Sequence, residues 1–297
     1  MAGNPNTHVV FGSSPDSYFI GHGRRYSYAN MPESFAKHIQ TQMNISMTLW
    51  ISMNKMLTSW ITHNTATENF HFTRNTNEII QHHLSATNGK FPAEFVSFPD
   101  SDDPIHYFVK GKDSHLWTAT LPDGLFQKLT KTMSEVPTFD AAITGMLFGK
   151  GKTHIYMFRG GFWPEYDDDV DAEHPLRKVL AKYSKGWCID RASSLCFYDS
   201  RYYFLKFKQP KSTQLQITWN LPETMGAHLG ELMGRMNDPE EQLALLKSDQ
   251  KWISVANARI NNQFQLHNMQ INAMNRAALS FQMVADPGIV VETVRYY

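Results

Sequence analysis

The chain has no run of 18 or more apolar residues, only two cysteines, and no excess of charge of either sign. A helix that crosses a bilayer needs about 20 consecutive apolar residues, so we expect no membrane span. Cys188 and Cys196 are too few to form a disulfide framework in a chain of 297 residues. Residues 1–6 lack the basic and apolar regions of a secretory signal. These absences together favour a cytoplasmic protein.

The charges of the chain balance, with 28 basic and 28 acidic side chains. Proteins that bind nucleic acid through a basic surface usually carry an excess of Lys and Arg, so we expect no nucleic-acid partner. Charged residues make up only 19% of the chain, and neutral polar residues take their place. This composition is typical of a polar surface of low charge density.

No standard catalytic or metal-binding motif occurs in the sequence. The chain contains neither an H-E-x-x-H pair nor a G-x-S-x-G turn, and no histidine stands near either cysteine in a pattern that would activate it. The segments 21–25 and 149–152 combine glycine with basic residues, as phosphate-binding loops do. Both fall between predicted strands, however, and are typical of hairpin turns.

A unit made of an aromatic strand, a second aromatic and an apolar–proline step occurs three times, at 18–39, 107–129 and 202–229. Apolar residues follow each proline at the third and seventh positions, which lie on one face of a helix. Proline is well tolerated in the first turn of a helix, where its missing N–H costs nothing. We therefore predict strands followed by a short proline-led helix in each unit.

A looser fourth copy lies between the second and the third. It consists of Phe139–Ala142, then Ile155–Gly160, Trp163 and Pro175. The proline steps are about 50 residues apart in the second half of the chain and about 90 in the first half, which fits one step plus an insertion of roughly 40. Repeats of this length are typical of propeller blades.

The segment Phe139–Ala142, with Ile155–Gly160 and Trp163 after it, resembles a blade of the hemopexin-like family, whose first strand opens with Asp-Ala-Ala. Cys188–Ala192 is similar to the same strand, whereas His8–Phe11 and Ala93–Val96 stand in its place in the first two repeats. The resemblance implies a mainly β fold with added helices. This would be a four-bladed propeller around a central channel, with blades at about 6–40, 92–130, 137–181 and 186–232.

The segment 41–87 is predicted to be a helical insertion between the first two blades. Its seam residues are spaced alternately by four and three, as in the a/d seam of a coiled coil, and all but Asn54 are apolar: Met43, Met47, Trp50, Asn54, Leu57 and Ile61.

Residues 238–285 are predicted to form one long helix, which begins at Asp238-Pro239 and contains no later glycine or proline before Pro287. Its heptad seam contains Leu246, Ile253, Ile260, Phe264, Ile271, Met274 and Phe281. The tail 286–297 is predicted to be a last strand or a free end. Two seams favour either helix packing within one chain or a coiled coil that makes the protein an oligomer, and the sequence leaves both open.

Acidic residues suggest two cation sites. Asp140 and Asp190 open equivalent strands, with Glu94 at a similar place, so they would hold a cation if they faced one channel. The alternative is that they bond nearby backbone N–H groups. The acidic run 167–173 lacks the spacing of an EF-hand loop and is more typical of a solvated loop. We expect no other cofactor.

Four tryptophans lie at the repeat ends: Trp117, Trp163, Trp187 and Trp219. Aromatic rings of this kind stack on sugars and flat ligands, or they pack one blade against the next. These features favour a non-enzymatic protein that binds a small molecule, a carbohydrate or a protein partner. The alternatives are a cyclase- or isomerase-like enzyme with a shaped pocket, and a lectin-like carbohydrate-binding defence protein.

Overall fold

The computed structural model describes residues 6–64, 70–84, 93–112, 116–210 and 215–235, and six positions between 250 and 269. The chain forms two compact units, Met1–Asp249 and Gln250–Tyr297. In the second unit the six described positions are helical and exposed. The predicted seam residues of the tail and the segment 286–297 lie outside the described residues, so the long helix, the last strand and the coiled coil stay predictions.

The first unit is mainly β, and its described residues form five small antiparallel sheets. Sheet 1 contains β1 (Thr7–Phe11), β2 (Tyr18–His22) and β3 (Arg25–Ala29), and sheet 2 contains β4 (Thr48–Met53), β5 (Trp60–Asn64) and β6 (Phe70–Phe72). Sheet 3 contains β7 (Ala93–Ser97), β8 (Tyr107–Gly111) and β9 (Trp117–Thr120). Sheet 4 contains β10 (Ile143–Phe148), β11 (His154–Phe158) and β12 (Gly161–Glu165).

Sheet 5 has a divided first strand. It contains β13 (Cys188–Ile189), β14 (Ser194–Leu195), β15 (Tyr203–Lys208) and β16 (Leu215–Asn220), and β13 and β14 both pair with β15. The middle strand of each sheet is rich in aromatic and β-branched residues, which favour extended structure. Tyr18, Tyr107, Tyr156 and Tyr203 each lie in such a middle strand.

The described part of the first unit has six α-helices, of which the last follows sheet 5, and one 3-10 turn at Ile45–Met47. The α-helices are α1 (Glu33–Thr41), α2 (Glu78–Leu84), α3 (Asp123–Glu135), α4 (Phe139–Ala142), α5 (Pro175–Lys182) and α6 (Glu223–Arg235). No described helix is both long enough and apolar enough to cross a bilayer.

The predicted proline-led helices are confirmed. Helices α1, α3 and α6 begin directly after Pro32, Pro122 and Pro222. The apolar residues at the third and seventh positions after these prolines are buried: Phe35, Ile39, Leu125, Leu129, Met225 and Leu229. In α5, His174 is the N-cap and its Nδ1 accepts from the N–H of Leu176, so Leu176 and Leu180 are the buried pair.

The prediction of a helical insertion over 41–87 is wrong, because the described residues of this segment form sheet 2 and the short helix α2. The prediction from the four-and-three spacing missed the turn between β4 and β5. In this turn the Asn54 side chain accepts a hydrogen bond from the N–H of Ser59, and Leu57 has a positive φ of 57°. Aromatic and β-branched residues on either side of that turn favour strands. The insertion of about 40 residues is therefore itself a repeat, and the described chain has five sheets rather than four.

The resemblance also placed the first strand of sheet 4 too early. Phe139–Ala142 forms helix α4, and β10 starts one residue later at Ile143. Two successive alanines favour helix, and Asp140 lies in the first turn, where a carboxylate is favourable. The hairpin turns predicted at 21–25 and 149–152 are confirmed, with Gly23 and Gly151 both at a φ of 61°.

The first strands of the five sheets contact one another in a closed cycle, from β1 to β4, β7, β10, β14 and back to β1. Side chains bond to backbone oxygens across four of these contacts. Asn6 Nδ2 donates to Thr48 O (2.9 Å), Trp50 Nε1 to Glu94 O (3.2 Å), Arg191 Nη2 to Thr144 O (3.1 Å) and Ser194 Oγ to Val9 O (2.7 Å). At the fifth contact Phe95 packs onto Gly145, where an added Cβ would lie 2.7 Å from the ring.

Candidate functional site

A narrow passage runs between the first strands, with a volume of about 50 Å³. All five sheets contribute to its wall, which is mostly apolar and includes Val10, Met53, Phe98 and Leu147. Ser97 also lines it, and its buried Oγ has no hydrogen-bond partner among the described residues. A space of this size holds a few water molecules at most, so the passage is not itself a ligand site.

A wider pocket of about 350 Å³ lies at the N-terminal ends of the first strands. We call it the mouth pocket. Its polar wall contains Glu94, Thr144, Arg159, Asp190, Arg191 and Lys208, and its apolar wall contains Leu49, Trp50, Phe158 and Ile189. Cys188 also lines it. The pocket shares Arg191 with the passage, so the two cavities adjoin.

Two ion pairs fix the polar wall. Arg191 Nη1 lies 2.8 Å from Glu94 Oε1, and Lys208 Nζ lies 3.3 Å from Asp190 Oδ2. The guanidinium of Arg191 also donates from Nε and Nη2 to the carbonyl oxygen of Thr144. All three nitrogens of Arg191 are therefore engaged, and its charge is held in one place between sheets 3, 4 and 5.

The basic neighbours keep both acids ionised. Burial alone would raise the pKa of Glu94, but the hydrogen bond and charge of Arg191 outweigh it, and that pKa lies below its usual range. Burial would also raise the pKa of Asp190, and the charges of Lys206 and Lys208 hold it below the usual range instead. Both carboxylates are thus partners of cations already present in the protein.

Positive charge exceeds negative charge in the wall of the mouth pocket. Arg159, Arg191 and Lys208 face only Glu94 and Asp190. Arg159 is exposed, and no carboxylate in the described part of the chain forms an ion pair with its guanidinium. Nearby Lys206 is buried, and burial lowers its pKa while the charge of Asp190 offsets part of that effect. The pocket therefore has an excess of cations and one guanidinium open to a ligand.

The apolar wall rests on a rigid core. Trp50 is fully buried, and its ring meets that of Phe95 edge to face at 5.1 Å between centroids. Leu49, the next residue back in β4, is 40% exposed, so it borders the open side of the pocket. An apolar face of this kind accommodates the hydrocarbon part of a small ligand.

The cysteines do not have the ionisation that a nucleophile needs. Cys188 Sγ donates to the carbonyl oxygen of Arg159 (3.2 Å), and burial raises the pKa of its thiol, against the smaller effect of Lys208. Burial raises the pKa of Cys196 to about 12. Both side chains are therefore protonated thiols near neutral pH, and only a thiolate is strongly nucleophilic.

The acids predicted to hold a cation do not meet. Asp140 lies in α4 and accepts from Trp117 Nε1 at 2.8 Å, whereas Asp190 lies in the mouth pocket and pairs with Lys208. Glu94 does line the same pocket as Asp190. Across the described ranges no group of three or more His, Cys, Asp or Glu side chains has the arrangement of a metal site. A channel cation stays a prediction from the sequence.

The acidic run 167–173 forms hydrogen bonds and an ion pair with nearby residues of the chain. Asp167 accepts from the N–H groups of Lys152 and Asp168, and Asp169 pairs with Lys150 at 3.1 Å. Hydrogen bonds from the Lys152 and Asp168 N–H groups lower the pKa of Asp167 despite some burial. These contacts join the run to the turn between β10 and β11.

The four tryptophans lie outside the mouth pocket. Trp163 and Trp219 lie on outer strands opposite Tyr156 and Phe204, and both are exposed, at 41% and 38%. Trp117 stacks on Phe108, and Trp187 meets Tyr183 edge to face. Trp117 and Trp163 lie in sheets 3 and 4, Trp219 lies in sheet 5, and Trp187 directly precedes β13 of sheet 5, so the structure does not gather the four rings around one ligand.

Comparisons of the chain with protein-family models, with curated proteins and with solved structures found no match. The hemopexin-like resemblance thus stays a prediction. Sequence reasoning missed Arg159, Arg191 and Lys208 as site residues, although Arg159 and Arg191 belong to the motifs that carry the resemblance. The available signal was Arg191 directly after the acid Asp190; the sequence shows no link between Arg159 and Glu94.

Proposed function

We propose that the chain is a five-bladed β-propeller that binds a small molecule in the mouth pocket, without catalysing a reaction. One observation carries this proposal: the closed cycle of first strands brings residues of β4, β7, β10 and sheet 5 to one pocket at the end of the central passage. In propellers the sheets surround a central channel. A pocket at the channel end is a frequent place for a ligand in closed β structures.

The dimensions and chemistry of the mouth pocket support a small ligand. Its volume of about 350 Å³ lies at the lower end of the range of ligand pockets, which is roughly 300–1,000 Å³. It combines an apolar wall with a few fixed polar groups, which is the usual composition of such a site. Cross-strand ion pairs hold the polar groups before any ligand arrives, so binding would need little reorganisation.

Binding fits the described side chains better than catalysis does. The cysteine in the pocket is a protonated thiol, and both carboxylates are ionised and paired with cations. A general acid or base works best with a pKa near the operating pH, and a carboxylate with a lowered pKa is a poor choice for either role. The enzyme alternative therefore has less support in this pocket than the binding protein.

We predict that a bulky side chain at the open edge of the pocket abolishes ligand binding. Leu49→Trp places an indole over the pocket, and Ile105→Trp is the matched control, because Ile105 is also exposed (49%) and lines none of the described cavities. Saturation-transfer NMR against a library of small molecules would report binding. We expect wild type and Ile105→Trp to share a set of hits that Leu49→Trp loses.

Folding of both variants is checked by their urea midpoints, which should match that of the wild type because neither substitution fills a buried site. If the hits of the wild type persist in a folded Leu49→Trp variant, or if the wild type binds no member of the library, the mouth pocket is not the ligand site.

A further inference from the structure

We infer that the ligand of the mouth pocket is a small organic anion, a carboxylate with a compact apolar body. This inference rests on the function proposed above and names its ligand class. It combines two features of the pocket wall, the excess of cations on one side and the apolar surface on the other.

The positive side has a clear division of roles. Arg191 already contacts Glu94 and the carbonyl oxygen of Thr144 through all three of its nitrogens, so its positive charge is held in a fixed position at the pocket wall. Arg159 is the guanidinium left open by the described carboxylates, and its planar fork suits the two oxygens of a carboxylate. Lys208 Nζ donates one hydrogen bond to Asp190 Oδ2 at 3.3 Å and can donate further hydrogen bonds to a ligand.

The electrostatic balance favours an anion over a cation. Three basic side chains line the pocket against two acids, and each acid is already within 3.3 Å of a basic nitrogen. A cation would have to displace one of these pairs, whereas an anion would complete the balance of charge. A neutral ligand would leave the guanidinium of Arg159 without a new partner.

The apolar side limits the rest of the ligand. Leu49, which is exposed, and Phe158, which is half-buried, offer a hydrocarbon surface, and the volume of about 350 Å³ is too small for a long chain or a peptide. A carboxylate bonded to one ring or a short aliphatic chain fits both sides. Inorganic phosphate would satisfy only the charged side.

The test is calorimetric titration of the full chain with benzoate, benzamide, benzylammonium and inorganic phosphate, four probes that separate charge from shape. We expect benzoate to bind at least about tenfold more tightly than the other three, since a hydrogen bond to a charged partner contributes this much or more. Raising the salt concentration should weaken benzoate binding, because the ion pair between benzoate and Arg159 would be exposed to solvent on one side.

Variants locate the charge. Arg159→Gln should weaken benzoate binding about tenfold or more, and Arg159→Lys should retain part of the affinity because it keeps the charge. Arg74→Gln removes one positive charge from an exposed residue that lines none of the described cavities, and it should leave the affinity unchanged. Arg159 is exposed, so these substitutions do not threaten the fold.

The outcomes distinguish this inference from the proposed function. If benzamide and benzoate bind equally tightly, and Leu49→Trp abolishes the binding of both, the mouth pocket is a ligand site but its ligand is not selected as an anion. If Arg159→Gln leaves the benzoate affinity unchanged, or if phosphate binds as tightly as benzoate, the inference that this pocket wall selects an organic carboxylate is wrong. If no probe shows binding that Leu49→Trp removes, the inference fails, and the library screen decides separately whether the pocket binds another class.

Discussion

Lowering the pH from 7.5 to 5 is expected to remove most of the free energy of unfolding of this chain. Burial lowers the pKa of four buried histidines: His8, His22, His38 and His154. Burial is the largest cause in each case, and it lowers the pKa of His8 to about 3 and that of the other three to about 4. For His8 and His22 the charge of Lys206 adds to the effect.

The direction of this pH dependence follows from the difference in histidine pKa between the folded and the unfolded chain. An unfolded histidine has a pKa near 6.5, so between pH 6.5 and about 4 the unfolded chain binds more protons than the folded chain. The stabilisation is complete above pH 6.5 and is lost as the pH falls. Each histidine contributes up to about 1.4 kcal/mol per pH unit, so four contribute up to about 8 kcal/mol at pH 5. Domains of this kind are stable by roughly 5–15 kcal/mol in total.

Urea denaturation followed by tryptophan fluorescence at several pH values would measure this effect. His38→Gln removes one buried titrating group and should reduce the slope of unfolding free energy against pH by about 1.4 kcal/mol per unit. His82→Gln is the control, since His82 is exposed, and should leave the slope unchanged. A wild-type free energy that stays constant from pH 7.5 to 5 would show that the four histidines are not buried as described.

The second large effect is expected from Trp50→Ala, which should destabilise the protein by about 3–5 kcal/mol. The ring of Trp50 is fully buried and contacts Phe95 at 5.1 Å and Phe70 at 6.0 Å between centroids. Its Nε1 also donates to the carbonyl oxygen of Glu94, which joins sheet 2 to sheet 3. Removing the ring leaves a cavity and also removes this hydrogen bond.

Chemical denaturation at pH 7.5 would test this prediction. Trp50→Phe should cost less than Trp50→Ala, because most of the apolar area remains and only the hydrogen bond is lost. Trp219→Ala is the matched control: that ring is 38% exposed, and its loss should change the free energy of unfolding by no more than about 1 kcal/mol. Equal costs for the two alanine variants would contradict a buried position of Trp50 between two sheets.

The repeated unit could be predicted from the sequence because local chemistry specifies it. Aromatic strands and proline-led helices depend on intrinsic preferences and on residues a few positions apart, and the buried pairs such as Phe35 and Ile39 followed directly from helical spacing. Sheet 2 was missed because a four-and-three spacing is also compatible with two short strands around a turn. The aromatic and β-branched content of 48–62 was the better indicator.

The candidate site could not be predicted in the same way. Glu94 and Arg191 are 97 positions apart, yet Arg191 Nη1 lies 2.8 Å from Glu94 Oε1, because β7 and the divided first strand of sheet 5 lie on either side of β10 in the cycle. A prediction that counts four sheets places β7 beside β1 and leaves out β4, which contributes Leu49 and Trp50 to the mouth pocket. The pairing of Asp190 with Lys208 was easier to predict, because both residues belong to the same repeat. That this pair lines a pocket with Arg159 is evident only from the structure.

The closure of the cycle between β14 and β1 is the contact on which the pocket and its proposed ligand depend. Multidimensional NMR of the labelled chain would test it through nuclear Overhauser contacts between β1 and β14, first among them the contact of the Ser194 β protons with the backbone protons of Val9 and Val10. We predict these contacts, because Ser194 Oγ lies 2.7 Å from Val9 O. Their absence in a sample that shows the β1–β2 contacts from Phe11 and Tyr18 would contradict the closed cycle of five sheets.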